Sequence, residues 1–227
     1  MRQVDPERKE IIQAEYKKLM LQAAERVIMR RGFRLATMDE IAREARFSKA
    51  TLYKYFKSKG EILLEIILQY FEEIRARVVE IQRSAEKPEE KIKLLIESIL
   101  EIQSQKENIS RMFLQDKSLR DFIHRFFMPT KKDDNREFQQ ALRSFRLKRQ
   151  DIFEAGCQVI KEGIEKERFV RTSPESILNY IWAVIEGLVH TRYWREKKVP
   201  VKEETEEVYR FLMTGIARQA FPEGEEK

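Results

Sequence analysis

Only one cysteine, Cys157, occurs in the 227 residues, so the chain has neither an internal disulfide nor a thiolate cage for a metal ion. A disulfide-stapled secreted scaffold is thereby excluded. Breakers are scarce too, with seven glycines and six prolines, too few for a sheet protein rich in turns. No apolar run approaches the ~20 residues of a membrane span. Met1 to Glu10 is charged and holds no apolar core of signal-peptide length. The chain reads as cytoplasmic, with no membrane partner. It also lacks a phosphate loop, a dinucleotide fingerprint and a Ser-His-Asp set. An enzyme is not expected, and no catalytic residue, cofactor or metal is assigned.

What is abundant is charge mixed with apolar side chains. Apolar residues make up 42% and charged residues 37% of the chain, the profile of long amphipathic helices. The expected fold class is all-α, and the length suffices for a small domain joined to a medium one. The formal charge of +6 is unevenly placed: residues 1–60 hold fifteen Lys/Arg against eight Asp/Glu, leaving the other 167 residues at −1. A basic head on a near-neutral body suits binding to a polyanion, although a solubilising bias has the same signature.

Caps and breakers divide the chain into about nine helical stretches. The first runs from about Pro6 to Arg31, with Leu19, Ala23, Val27 and Ile28 at helical spacing, and stops at Gly32. Two short helices follow near 38–45 and 49–55, and a long fourth starts after Ser58 and reaches about Arg83. Further helices are expected at 88–106, 109–127, 136–167, 174–196 and 203–220, with a linker at 128–135. Pro88 and Pro174 suit the first helical position. The expected division is a small N-terminal domain at 1–58 and a larger helical domain at 59–227.

The segment from Thr37 to Phe56 carries the chemistry. Thr37 with Glu40 three residues on is a capping box, and Met38, Ile41, Ala42 and Ala45 then share one inward face. Ser48 caps a second short helix whose inward side is Leu52 with Phe56. About three residues join the two, so they must cross steeply, as in a helix-turn-helix. Outward on the second helix lie Lys49, Ala50, Thr51 and Lys54, two cations with a hydroxyl and a small residue. Such a face fits a major groove, where lysine reaches guanine acceptors and small groups meet bases or thymine methyls. Tyr53 and Tyr55 flank it, with hydroxyls able to meet phosphate oxygens. A small helical hairpin with a solvated lysine face is the alternative from spacing alone. Ser58 and Glu61 form a second capping box, placing Lys59 where free amides also favour a phosphate.

The run Gly32-Phe33, Thr37, Ile41-Ala42, Ala45, Thr51-Leu52-Tyr53, Tyr55-Phe56, Ser58-Lys59 and Leu63-Leu64 resembles the N-terminal DNA-binding domain of the TetR family of transcriptional regulators. The match covers about residues 10–65; beyond it only the helical layout agrees. The resemblance implies phosphate contacts from Thr37, Ser48, Tyr53, Tyr55 and Lys59, and base-side contacts from Lys49, Ala50, Thr51 and Lys54. It implies a homodimeric repressor of a palindromic operator in double-stranded DNA, released by a small-molecule effector. One departure concerns the turn, where Ala45-Arg46 stands in place of the usual Ala-Gly. A non-glycine residue in a left-handed position costs about 1 kcal/mol, so the turn is either strained or shaped differently.

The body is rich in aromatics, most of which must be ordinary core. The resemblance implies that a minority line a cavity, for which Phe71, Met112, Phe113, Phe122, Phe126, Phe153, Cys157, Trp182, Glu186 and His190 are the candidates. Their character suits an apolar or lipid-like effector such as a fatty acyl thioester. Glu186 and His190, four apart, read as a local helix pair and not a metal site; Cys157 reads as a packing residue. Ile177, Ile181, Ile185 and Leu188 on one of the last two helices, with Val208, Phe211 and Leu212 on the other, suit a four-helix dimer interface, or in part an intramolecular core. Ala183 and Gly187 would allow close approach. A helical interaction protein that binds nucleic acid without sequence choice, or a regulator without an effector, is the competing reading.

Overall fold

A computed structural model of the chain describes residues 6–106, 136–192 and 199–216, and every described element is an α-helix or the turn between two. The helices are α1 (Pro6–Leu35), α2 (Met38–Glu44), α3 (Lys49–Tyr55), α4 (Lys59–Arg83), α5 (Pro88–Gln105), α6 (Arg136–Glu165), α7 (Pro174–Arg192) and α8 (Val201–Ile216). The all-α expectation holds, and the shared boundaries agree with the sequence reading to within a few residues. The helix expected at 109–127 and its linker lie outside the described residues. None of the described helices is long and apolar enough to cross a membrane.

The residues fall into two compact units, one from Met1–Tyr70 and Glu107–Phe145, the other from Phe71–Lys106 and Arg146–Lys227. In the first, Met20, Ala23, Ala24, Val27 and Ile28 of α1 are buried with Ile41, Leu52, Phe56, Ile62 and Leu63. Leu19, expected on the inward stripe of α1, is instead exposed, because Met20 and Leu21 occupy the buried side of that turn. Gly32 interrupts α1 with φ 76° and ψ 155°, so the expected stop is a break after which one more turn runs to Leu35. Only glycine enters that backbone region at low cost.

In the second unit α5 packs mainly on α8 and secondarily on α7. Lys91 is buried, and its ammonium donates to the carbonyl of Gln82 at 3.0 Å and to Glu162 Oε2 at 2.8 Å. A lysine from α5 thereby satisfies a carbonyl left without a partner at the end of α4. Hydrogen bonds from Lys166 and then from Lys91 hold the Glu162 carboxyl below the usual carboxylate range. Helix α6 ends with Glu167 at φ 56°, where Arg168 N–H reaches the Gly163 carbonyl at 2.8 Å and Glu167 N–H reaches Ile164 at 3.0 Å. Gly163 is required for a different reason: a Cβ there would lie 2.1 Å from the ring of the fully buried Phe169.

Candidate nucleic-acid interface

One reciprocal capping box, one simple N-cap and one left-handed turn build the α2–α3 unit. Thr37 Oγ1 accepts from the Glu40 amide at 3.2 Å, and Glu40 Oε2 accepts from the Thr37 amide at 3.1 Å, the capping box foreseen from spacing. The hydrogen bond from Thr37 holds the Glu40 carboxyl below its ordinary pKa. The turn then closes with Arg46 N–H on the Arg43 carbonyl at 3.1 Å and Phe47 N–H on the Ala42 carbonyl at 2.9 Å. These are the two bonds of a Schellman termination, which requires a left-handed residue between them. Arg46 is that residue, at φ 59°. The departure from Ala-Gly therefore leaves the turn geometry intact and places the strain on an arginine. Phe47 next to it packs on Tyr16 of α1, ring centroids 5.0 Å apart.

Helix α2 is clamped to α1 by ions. Glu44 accepts from Arg26 Nε and Arg30 Nη2, each at 2.8 Å, and Arg31 lies 3.4 Å from Glu40. Arg26 and then Arg30 draw the Glu44 pKa down. Ser48 starts α3: its Oγ accepts from the Thr51 amide at 3.0 Å and shares a 2.7 Å hydrogen bond with the Thr51 hydroxyl. Leu52 and Phe56 turn inward and are buried, as the spacing predicts.

The outward face of α3 carries Lys49, Ala50, Tyr53 and Lys54, all exposed, while Thr51 and Tyr55 are half-buried beside it. Among the described residues the Lys54 ammonium has no partner. Lys49 has one, Asp39 Oδ1 of α2 at 2.7 Å. That carboxylate at the head was not anticipated, because ten residues and a helix crossing separate the pair in sequence. Thr37 and Ser48 spend their hydroxyls on caps, so their first task is to start α2 and α3.

Lys59 is placed differently from the expectation. Its ammonium donates to the carbonyls of Phe33 and Arg34, each at 2.8 Å, and of Ala36 at 3.0 Å, and lies 5.0 Å from the Phe33 ring centroid. Three protons meet three acceptors, which leaves none for a phosphate. The break at Gly32 exposes the last carbonyls of α1, and a cation at a helix C-terminus is where the macrodipole favours one. Ser58 Oγ does accept from the Glu61 amide at 3.2 Å, but the Glu61 carboxylate takes the Lys57 amide, one residue earlier than a standard capping box.

The effector and dimer sets separate on burial. Met112, Phe113, Phe122 and Phe126 lie outside the described residues. Phe71 and Cys157 are half-buried, whereas Phe153, Trp182, Glu186 and His190 are exposed and therefore do not line an enclosed cavity in this chain. Burial, with Glu175 and Glu154 nearby, pushes the Cys157 thiol up and keeps it protonated, which suits packing over redox chemistry. A surface cleft of about 490 Å³ lined by Lys87, Glu89, Glu90, Glu167, Arg168, Tyr209 and Met213 is too charged for an apolar ligand. Ile177, Ile181 and Ile185 are at most 5% exposed, and Val208 and Leu212 are also buried within the chain. They form intramolecular core and are unavailable to a partner. Leu188 is half-buried. The apolar groups facing out are Tyr180 and Phe211, 70% and 67% exposed, with Trp182, Ala183 and Gly187, where an added Cβ would meet nothing within 4 Å.

Two capped helices joined by the short turn of residues 45–48, with a basic outward face, have the layout of a helix-turn-helix. Residues 20–66 match the family model described as bacterial regulatory proteins, tetR family. The chain is thus similar, over these residues, to the DNA-binding head of TetR-family regulators. It is 31% identical over 91 residues to the uncharacterized HTH-type transcriptional regulator YuxN of Bacillus subtilis, a match covering 38% of this chain and 31% of the relative. The chain thus matches about a third of the length of that curated relative. Beyond the head the likeness is one of fold. The TetR family regulator PfmR of Thermus thermophilus superposes with a TM-score of 0.69 at 18% identity, over 88% of this chain and 99% of that one. FadR of Bacillus subtilis in complex with stearoyl-CoA superposes with a TM-score of 0.65 at 20% identity, over 88% and 98%. The relatives are transcriptional regulators, not enzymes.

Proposed function

We propose that this chain is a dimeric transcriptional repressor that reads a two-fold operator through α3 and is released by an apolar or lipid-like effector. The observation carrying the DNA-binding part is the outward face of α3, with Lys49, Ala50, Tyr53 and Lys54 exposed on a helix locked in place from both sides. Lys54 and Lys49 serve as base-side cations, Ala50 and Thr51 as small groups against base edges, and Tyr53 and Tyr55 as phosphate anchors with Thr37 and Ser48. Lys59 is left out of this set, since its protons are taken. By function we divide the chain into a DNA-binding part at 1–58 and a ligand-binding and dimerisation part at 59–227, with the boundary between α3 and α4.

Dimerisation is assigned to the exposed stripe of α7 and α8, Tyr180, Ala183, Gly187 and Phe211. Tyr180, Ala183 and Gly187 follow one another at three and four residues and so share a face. Large apolar groups this exposed beside small ones allow two helices to approach closely, and one recognition helix per chain requires two equivalent half-sites. The effector class is supported by the acyl-thioester complex of the FadR fold neighbour. Selection of bound duplexes from a randomised pool at fixed salt, repeated with stearoyl-CoA, tests the reading. It predicts an inverted-repeat consensus whose complex the thioester dissociates. Recovery of duplexes without a consensus would favour a helical protein that binds nucleic acid without sequence choice.

A further inference from the structure

An acid sits on the recognition surface, against a lysine expected to meet DNA. Asp39, in the first turn of α2, places Oδ1 2.7 Å from the ammonium of Lys49, the first residue of α3. Both side chains are more than half exposed, so burial does not force them together. The carboxylate also raises the Lys49 pKa, first by the hydrogen bond and then by its charge. At the other end of the same helix Lys54 has no such partner among the described residues. One cation of the face is therefore neutralised and the other is available.

Resting on the function proposed above, we infer that Asp39 is a specificity-determining residue that acts through Lys49. In a complex with arbitrary sequence a phosphate would gain from a free ammonium at Lys49, whatever the bases. Paired with Asp39, the ammonium contributes little to that attraction, and the carboxylate itself repels the backbone. Where a guanine offers O6 and N7 together, two directed acceptors replace the single carboxylate oxygen, and Lys49 exchanges partners. Holding back the sequence-independent contribution while leaving the base-dependent one open widens the ratio between the right site and all others. Asp39 is a positioning residue here, for it needs no contact with DNA.

The test measures affinity against salt concentration for a random-sequence 30-bp duplex pool and for duplexes that the wild-type protein recovers from that pool. Asp39→Asn keeps the size of the side chain and removes the charge. It should steepen the dependence of log K on log salt by about 0.9 per protomer, the release expected for one added phosphate contact. Affinity for the random pool should rise and the selected-to-random ratio should fall. In a Lys49→Met background the same substitution should leave the slope unchanged. A slope unaltered by Asp39→Asn in the wild-type background, or steepened equally in both backgrounds, overturns the inference while leaving DNA binding intact. A wild-type protein without salt-dependent binding to any duplex overturns the proposed function, and this inference with it.

Discussion

Replacing Arg46 by glycine should stabilise the head, although it deletes a long side chain from the surface. Arg46 occupies the left-handed position of the α2–α3 turn at φ 59°, with both Schellman bonds formed by backbone atoms that glycine also has. An L-residue in that region carries about 1–2 kcal/mol of steric cost, which glycine removes. Glycine in turn adds about 0.4–1 kcal/mol of unfolded-state entropy. The net is a gain of about 0.5–1 kcal/mol, which should slow exchange of the protected amides of α2 and the turn about two- to fivefold when they exchange by opening of this unit. Hydrogen exchange read peptide by peptide is the suitable assay, because a chain of two compact units need not unfold in one step. Arg46→Ala supplies the control: it keeps the strained backbone and loses only an exposed guanidinium, so its stability should stay within about 0.5 kcal/mol of wild type. If glycine exchanges as fast as wild type, or faster, while alanine is neutral, the turn stores no strain and the reasoning fails.

Lys59→Met should destabilise the head by about 1–3 kcal/mol, because three carbonyls at the end of α1 lose a charged donor together, and urea denaturation followed by far-UV dichroism will show it. With dimerisation through α7 and α8 as proposed, Phe211→Lys should leave the helical content unchanged and give a monomer in sedimentation where the wild type is a dimer, since the ring is exposed in the single chain; a dimer that survives it places the interface elsewhere. In acid, the group to watch is Glu72, whose carboxyl is drawn from 4.5 to about 2 by hydrogen bonds from Arg75 and Lys148. Its folded pKa lies below the unfolded one, so its contribution is complete above about pH 4.5 and is lost as the pH falls toward 2. Glu72→Gln should flatten the stability profile in that window and nowhere above it.

The local elements of the head were legible from sequence because their signals are local. Thr37 with Glu40 and Ser48 before Lys49 announce helix starts through hydrogen bonds that span three residues. Gly32 announces a break through its own backbone freedom, and Ala45-Arg46 marked the strained turn that the fold then showed at Arg46. Apolar spacing likewise placed Leu52 and Phe56 inside. What the tertiary structure alone decided are meetings between elements. Lys59 reaches carbonyls more than twenty residues upstream and so changes from an expected phosphate anchor into a cap on α1. Asp39 meets Lys49 only because α2 and α3 cross. On α7, periodicity identified an apolar helix but not which side faces its own chain. Ile177, Ile181 and Ile185 went inward and Tyr180 went out, because packing against α5 selects one face of a helix that is apolar on more than one.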